Sequence, residues 1–150
     1  DGSAETNGPD DLRGSWGRDH LIGGARADDL YGNRGADTLQ GGLGHDTLSG
    51  GAGNDWYIYA STGDSTVDAP DFMRLENGDV IDLSAIDADT TRAGDQKFRL
   101  VSAFTHHAGQ LMLVDEGDMT HLLADIDGDG AADMQIDISG SHGDFTHFKF

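Results

Sequence analysis

The chain has 150 residues, of which 28 are Asp or Glu and 9 are Lys or Arg, so its formal net charge is −19. So acidic a chain repels phosphate backbones and anionic lipid, which excludes nucleic acid and an anionic membrane surface as partners and favours cations. It contains no cysteine to form disulfides and no apolar run near the roughly 20 residues of a membrane span. High charge with low hydrophobicity is also typical of disorder, which is the alternative to any folded interpretation. The polar start, Asp1-Gly2-Ser3, lacks a signal-peptide pattern, and we interpret it as a cut from a longer chain.

An aspartate recurs every nine residues through the first half of the chain, at Asp10, Asp19, Asp28, Asp37, Asp46, Asp55 and Asp64. A leucine or tyrosine follows two positions after each of the first six, and glycines precede them. This pattern defines six units, at 5–13, 14–22, 23–31, 32–40, 41–49 and 50–58. A disordered linker does not require an apolar residue at a fixed distance from each aspartate, so the period predicts a repeat structure.

Each unit predicts a tight glycine turn followed by a short strand whose middle side chain points inward. Two consecutive units then form one full coil, and turns two units apart stack on the same side. The stacking predicts two columns of carboxylates, Asp10, Asp28 and Asp46 on one side and Asp19, Asp37 and Asp55 on the other. It also places Leu12, Leu30 and Leu48 in one sheet, facing Leu21, Leu39 and Tyr57 in the other.

Carboxylates stacked at the strand spacing of about 4.8 Å repel each other. Calcium removes this repulsion because it accepts six to eight oxygens, from carboxylates and from the backbone carbonyls that glycine turns expose. We therefore predict several Ca²⁺ ions as the cofactor, and a chain that folds only when it binds them.

After Tyr59 the glycine rhythm stops, and apolar or alternating segments predict strands at 56–59, 79–84, 110–115, 119–126 and 134–139. The predicted fold class is all-β, a right-handed parallel β-roll of nonapeptide repeats followed by an antiparallel β meander that extends its sheets. Helix is limited to a turn near 83–87. We divide the chain into a roll over 1–58 and a β region over 59–150, within one continuous structural unit.

The units resemble the RTX repeat, Gly-Gly-x-Gly-x-Asp-x-apolar-x, most clearly in Gly41-Gly42-Leu43-Gly44-His45-Asp46-Thr47-Leu48-Ser49. Three later stretches resemble the C-terminal domain of the serralysin metalloproteases: Asp64-Ser65-Thr66-Val67-Asp68-Ala69-Pro70-Asp71, Gly78-Asp79-Val80-Ile81-Asp82-Leu83-Ser84-Ala85-Ile86-Asp87 and Asp125-Ile126-Asp127-Gly128-Asp129-Gly130-Ala131-Ala132-Asp133. The repeat-bearing modules of alginate epimerases are similar in the repeats and the first two stretches.

The resemblance implies that each Ca²⁺ lies between two loops that are two units apart, bound by two carbonyls and one aspartate from each. The four sites implied are Thr6, Gly8, Asp10, Gly23, Ala25 and Asp28; Ser15, Gly17, Asp19, Gly32, Arg34 and Asp37; Gly24, Arg26, Asp28, Gly41, Leu43 and Asp46; and Asn33, Gly35, Asp37, Gly50, Ala52 and Asp55. Arg26 stands where a turn glycine is usual, which predicts a strained or differently shaped loop.

Two further sets of aspartates are candidate calcium ligands. In the serralysin family, aspartates matching Asp64, Asp71 and Asp79 close one more site, although the spacing from Asp71 to Asp79 is two residues shorter here. The second set, Asp125, Asp127, Asp129 and Asp133, matches the start of an EF-hand loop, but Ile136 occupies the position of its final glutamate. For this second set a hairpin turn and a calcium site both remain open.

No catalytic motif is present: the sequence lacks His-Glu-x-x-His, Gly-x-Ser-x-Gly and a phosphate-loop lysine. We therefore predict a non-enzymatic module. The resemblance implies an extracellular module that folds on calcium after type I secretion and stabilises or exports an upstream enzyme, a zinc metalloprotease or an alginate epimerase. The export signal would be at 142–150, unless Phe145, Phe148 and Phe150 simply pack against the meander. The alternative function is binding of an acidic, alginate-type polysaccharide.

Overall fold

The computed structural model describes residues 2–3, 9–67 and 69–150, and within these ranges all regular structure is β. No described helix is long and apolar enough to cross a membrane. The strands are β1 (Gly2–Ser3), β2 (Asp11–Arg13), β3 (His20–Ala25), β4 (Asp29–Gly35), β5 (Thr38–Leu43), β6 (Thr47–Gly53), β7 (Trp56–Ile58), β8 (Asp71–Arg74), β9 (Val80–Asp82), β10 (Arg99–Leu100), β11 (Gln110–Asp115), β12 (Met119–Asp125), β13 (Met134–Ser139) and β14 (Phe148–Lys149).

Successive strands of the repeat region alternate between two sheets, as a coil of two units requires. The first sheet has the order β1-β3-β5-β7-β9-β14, and every pair in it is parallel. The second sheet has the order β10-β11-β12-β13-β8-β6-β4-β2, in which β2, β4, β6 and β8 are parallel neighbours. The prediction of an all-β chain built on a parallel roll is confirmed.

The core of the roll is a ladder of single side chains, one from each strand. In the first sheet Leu21, Leu39, Tyr57 and Ile81 lie in register, and in the second sheet Leu12, Leu30, Leu48 and Met73 do so. All of these are fully buried except Leu12, which lies in the edge strand β2 and is half-buried. Because only one side chain per strand points inward, this core is thin, and the strand period alone fixes which residues form it.

The meander extends the second sheet, as the sequence predicted. Strands β11, β12 and β13 pair antiparallel, and β13 then pairs parallel with β8. Ile136 and Ile138 of β13 are buried and join the core. A turn follows β9 as predicted, and in it the Ile86 amide donates to the Leu83 carbonyl at 3.0 Å.

The last residues add a strand to the first sheet, where β14 pairs parallel with β9. Phe145, Phe148 and Phe150 pack against the core, and the Lys149 ammonium donates to the Asp82 carboxylate at 2.8 Å. Phe150 also stacks on Phe148, with 5.6 Å between the ring centroids. The packing alternative for this segment is therefore observed, with β9 rather than the meander as the strand partner.

Candidate calcium-binding centre

The aspartates of the repeat form two columns, one along each edge of the roll where the turns lie. In each column the backbone amide of one aspartate donates to Oδ1 of the next. The first column contains, in this order, Asp10, Asp28, Asp46 and Asp71, and the second contains Asp19, Asp37, Asp55 and Asp79. Each bond joins one aspartate to the next in its column, at 2.8–3.0 Å. The sequence predicted the columns but not this hydrogen-bond ladder, and it did not predict that Asp71 and Asp79 continue them.

Most of the carboxylates in these columns are inaccessible to solvent. Asp37, Asp46, Asp55, Asp71 and Asp79 have no exposed surface, and Asp28 is 2% exposed. The ladder uses only Oδ1. Among the residues that the structure describes, the second oxygens of five of them, Asp28, Asp37, Asp46, Asp55 and Asp71, are buried and have no hydrogen-bond partner. A buried carboxylate oxygen without a partner is strongly unfavourable, so this set of donors fits a cation.

Backbone carbonyls converge on the same spaces as these carboxylates. An ideal Cβ on Gly32 would lie 2.5 Å from Asp37 Oδ2 and 2.6 Å from the Gly50 carbonyl oxygen. Equivalent positions on Gly14 and Gly23 would meet an aspartate Oδ2 and the carbonyl of Gly32 or Gly41 at 2.6–2.7 Å. In each case the two oxygens belong to one implied site, so the glycines leave room where carboxylate and carbonyl meet.

Some of the other implied carbonyl ligands already accept a backbone hydrogen bond, and two lie outside the described residues. The carbonyl oxygen of Arg34 accepts from the Gly17 amide at 2.9 Å, and that of Leu43 accepts from the Arg26 amide at 2.6 Å. Each keeps a second lone pair. Thr6 and Gly8, implied for the first site, lie outside the described residues. The other implied carbonyl donors lie in turns or strands of the roll and remain predictions: Ser15, Gly17, Gly23, Gly24, Ala25, Arg26, Asn33, Gly35 and Ala52.

Arg26 adopts a positive φ of 91°, as Asn33 does with 76°. Only glycine reaches this region without steric cost, so both turns contain a residue under strain. The strained loop that the missing glycine predicted at Arg26 is therefore observed. The strain is compatible with the register, because the Arg26 amide still bonds to Leu43 in the loop of the next coil.

The structure does not bring Asp64, Asp71 and Asp79 together. Asp71 begins β8 in the second sheet, and the chain crosses the roll before Asp79, which precedes β9 in the first sheet. Asp71 and Asp79 therefore end different columns. Asp64 is buried and lies close enough to Asp46 and Asp71 to raise the pKa of both carboxyls.

The acidic loop after β12 brings three of its four predicted aspartates together. One carboxylate oxygen from each of Asp125, Asp127 and Asp133 lies within 4.8 Å of the others, and Asp129 is outside this group. Their oxygens accept from loop amides; Asp125, for example, binds the amides of Gly128 and Gly130 at 2.7 and 3.0 Å. The hairpin turn is present, and a calcium ion in it remains a prediction.

Burial raises the pKa of the column carboxyls, and neighbouring carboxylates raise it further. The pKa of Asp46 and of Asp55 is about 6, and that of Asp71 is about 8. Burial is also the main cause that raises the pKa values of Asp28, Asp37 and Asp79. A cation bound to these carboxylates would favour their ionised form and lower each of these pKa values.

Buried carboxylate columns faced by turn carbonyls define a β-roll module of the calcium-binding RTX class. The family described as Peptidase M10 serralysin C terminal matches residues 13–149, so the chain belongs to this family. The family comprises the C-terminal region of those peptidases and not their catalytic domain, so this chain is a non-catalytic module.

Among the similar solved structures are two from the mannuronan C5-epimerase of Azotobacter vinelandii. Its AlgE6R3 subunit is 26% identical with a TM-score of 0.67, covering 95% of this chain and 78% of that one. Its AlgE6R2 subunit is 23% identical with a TM-score of 0.65, and the match covers 98% of this chain and 94% of that one. At this identity the similarity supports the fold alone. No curated protein matches the chain.

The raised pKa values predict opposite effects of pH with and without calcium. An unfolded aspartate has a pKa of about 4, so the metal-free fold binds more protons than the unfolded chain. Its stability is present at low pH and is lost as pH rises through about 6 and then about 8. In chelator, the β signal in circular dichroism should therefore grow as pH falls from about 8 to about 5.

In saturating calcium the free energy of unfolding should instead decrease as the pH falls from about 8 to about 5, because protons compete with the ion for the carboxylates. Urea unfolding midpoints measured across that interval test this second slope. The same sign of slope in both conditions would contradict the assignment of the columns to calcium.

Proposed function

We propose that this chain is a calcium-folded module that becomes ordered outside the cell after type I secretion and stabilises an upstream serralysin-like metalloprotease. The observation that carries the proposal is the set of five buried carboxylate oxygens without a hydrogen-bond partner in the described structure, three in the first column and two in the second. Calcium suits them better than magnesium, because it tolerates the irregular mixture of carboxylate and carbonyl donors that these turns present.

The energetics make calcium a switch for folding. A site held at 100 times its dissociation constant adds about 2.7 kcal/mol, so four such sites add about 11 kcal/mol, comparable to the whole stability of a typical domain. The thin leucine ladder contributes little that could replace this. In a compartment poor in calcium the chain stays unfolded and fit for export, and outside, ion binding orders it and opposes return.

Calcium should therefore drive folding directly. At neutral pH in chelator, we expect a largely disordered far-UV circular dichroism spectrum, and millimolar calcium should restore β-structure. Magnesium at the same concentration is the control, and it should not restore the signal. A chain that is fully folded in chelator at neutral pH would exclude this function.

The C-terminal residues make export testable separately from folding. Co-expression with a type I exporter should release the full chain into the medium, and a chain lacking Phe145–Phe150 should be retained. The control is Lys149→Gln, which removes the ion pair with Asp82 but leaves the segment, and it should be released normally. Release of the truncated chain at the full rate would make the segment purely structural.

A second candidate function is binding of an acidic polysaccharide, and one surface favours it. Two adjoining grooves of about 540 and 470 Å³ lie on the outer face of the first sheet, and both are lined by Arg18 and Thr38. Trp56, 38% exposed, lines the larger groove, and His20 and Asp19 line the smaller one; we call the two together the Trp56 groove. An exposed aromatic ring beside a cation suits a sugar ring that carries a carboxylate. The printed name of the similar AlgE6R3 structure refers to mannuronan, which is such a polymer.

The Trp56 groove predicts calcium-dependent binding of oligomannuronate. Titration of the calcium-loaded chain should give saturable binding, weakened about tenfold by Arg18→Gln and at least as much by Trp56→Ala, since each removes one contact with the sugar acid. Trp16→Ala is the matched control, because Trp16 is 81% exposed and lies outside the groove. Equal binding of a neutral oligosaccharide, or none of the acidic one, would reject this candidate.

A further inference from the structure

A cavity beside β10, the strand at one edge of the second sheet, concentrates positive charge in this acidic chain. It has a volume of about 350 Å³, and its polar lining consists of Lys97, Arg99, Thr105, His107 and Gln110. The sequence contains 28 acidic residues, yet among the residues that the structure describes no Asp or Glu lines this cavity. Charges more than about 8 Å away are largely screened at physiological salt, so the local cations decide which ions this cavity attracts. The cavity therefore favours an anion.

The residue between the two cations anchors them to the core. Phe98 is 5% exposed and packs in the hydrophobic core, with its ring centroid 6.2 Å from that of Phe150. Lys97 and Arg99 flank it, are exposed and both line the cavity. In the described part of the chain neither side chain has an ion pair or a hydrogen bond. Two cations without a carboxylate partner are therefore held side by side by one buried ring.

A buried amide side chain fixes another wall of the cavity. Gln110 is 3% exposed and binds Thr105 twice: its Oε1 accepts from the Thr105 backbone amide at 2.7 Å, and its Nε2 donates to the Thr105 hydroxyl at 2.6 Å. His107 Nδ1 lies 2.9 Å from the Thr105 carbonyl oxygen, which can only accept, so this nitrogen carries a proton. The Thr105 hydroxyl, 3.3 Å from the same nitrogen, therefore cannot donate to it. Its hydrogen has no acceptor among the described residues and is available to a bound anion.

These groups suit a phosphate monoester better than a carboxylate. Such an ester carries a charge of about −1.5 to −2 near pH 7 and has three strong acceptor oxygens. Lys97 and Arg99 supply two positive charges, and the Arg99 guanidinium has the geometry to bind two of the oxygens at once. The Thr105 hydroxyl supplies a further donor. A carboxylate has one charge and two oxygens, so it would leave one of the two cations without a counter-charge.

We propose that this cavity, the Arg99 cavity, binds the phosphate group of a small monoester. Arg99 and Lys97 neutralise the charge of the ester, and Thr105, which Gln110 positions, donates a hydrogen bond to it. A volume of about 350 Å³ lies within the range of small-molecule sites. The Arg99 cavity shares no lining residue with the Trp56 groove and contains none of the column aspartates, so it is an additional site for a different class of ligand.

Charged side chains at the edge of a sheet also have a simpler role, because they prevent the edge from pairing with a second chain. Edge protection would use Lys97 and Arg99 but would not need a particular anion. It would not need a Thr105 hydroxyl held from two directions by a buried Gln110 either. The two explanations therefore differ in the effect of a change at Thr105 and in the response of the chain to a phosphate ester.

The experiment is a calorimetric titration of the full chain in saturating calcium with glycerol phosphate, and the same titration into calcium buffer is the blank. We expect saturable binding of one equivalent. Arg99→Gln, Lys97→Gln and Thr105→Val should each weaken it about tenfold, the effect of losing one hydrogen bond to a charged group. Arg92→Gln is the matched control, because Arg92 is exposed and lies outside the cavity, and it should bind as the unmodified chain does. Circular dichroism of each variant in calcium establishes that it is folded.

Two further anions define the class of ligand. Acetate, and the diester glycerophosphocholine with its single negative phosphate charge, should each bind at least tenfold more weakly than glycerol phosphate. Equal binding of either one would overturn the assignment to a monoester. A folded chain that does not bind glycerol phosphate, or that binds it equally well as Arg99→Gln, would overturn the site while calcium-dependent folding stands. A chain that is folded in chelator would defeat the proposed function, and the same titration without calcium would then test the Arg99 cavity.

Discussion

Stacked carboxylates repel each other, and the rest of this structure is arranged around that repulsion. The leucine and tyrosine ladder fixes the strand register, and the register places each aspartate above the one in the preceding coil. A backbone amide neutralises part of the charge on Oδ1, at 2.8–3.0 Å throughout both columns. In five of the aspartates the second oxygen has no such donor in the described structure, and at Asp28 and Asp37 it lies close to a glycine carbonyl. The geometry that makes the metal-free roll unstable is therefore the geometry that suits a calcium ion.

The two ends of the roll differ in how well they are packed. At the N-terminal end Leu12 is half-buried, whereas beside the meander Met73, Ile136 and Ile138 are completely or almost completely buried. The thin ladder therefore gains a thicker core only where β13 joins β8. Under the proposed calcium-dependent function, the repeats depend mainly on ions for their stability and the meander mainly on apolar burial, so the meander supports the last turns of the roll.

A strict period made the repeat region predictable from sequence, and loss of the period made the end of the roll unpredictable. Leu30 and Asp28 could be placed because every coil consists of two units and side chains alternate along a strand. Asp71 and Asp79 follow Asp46 and Asp55 at longer and unequal spacings, so their places depend on the path of irregular connections. One signal was available: Phe72-Met73-Arg74 follows Asp71 as a ladder strand follows its aspartate.

The calcium columns also govern whether the outer surface can bind an anion. With a formal charge of −19 the metal-free chain repels any polyanion, and four bound ions would reduce this to about −11. The change is local as well, because Arg18 directly precedes Asp19, and the turn that calcium would order also positions the arginine at the Trp56 groove. The two candidate functions are therefore not independent alternatives. Polysaccharide binding by this surface requires that the ions bind first, whereas calcium-dependent folding does not require a polysaccharide.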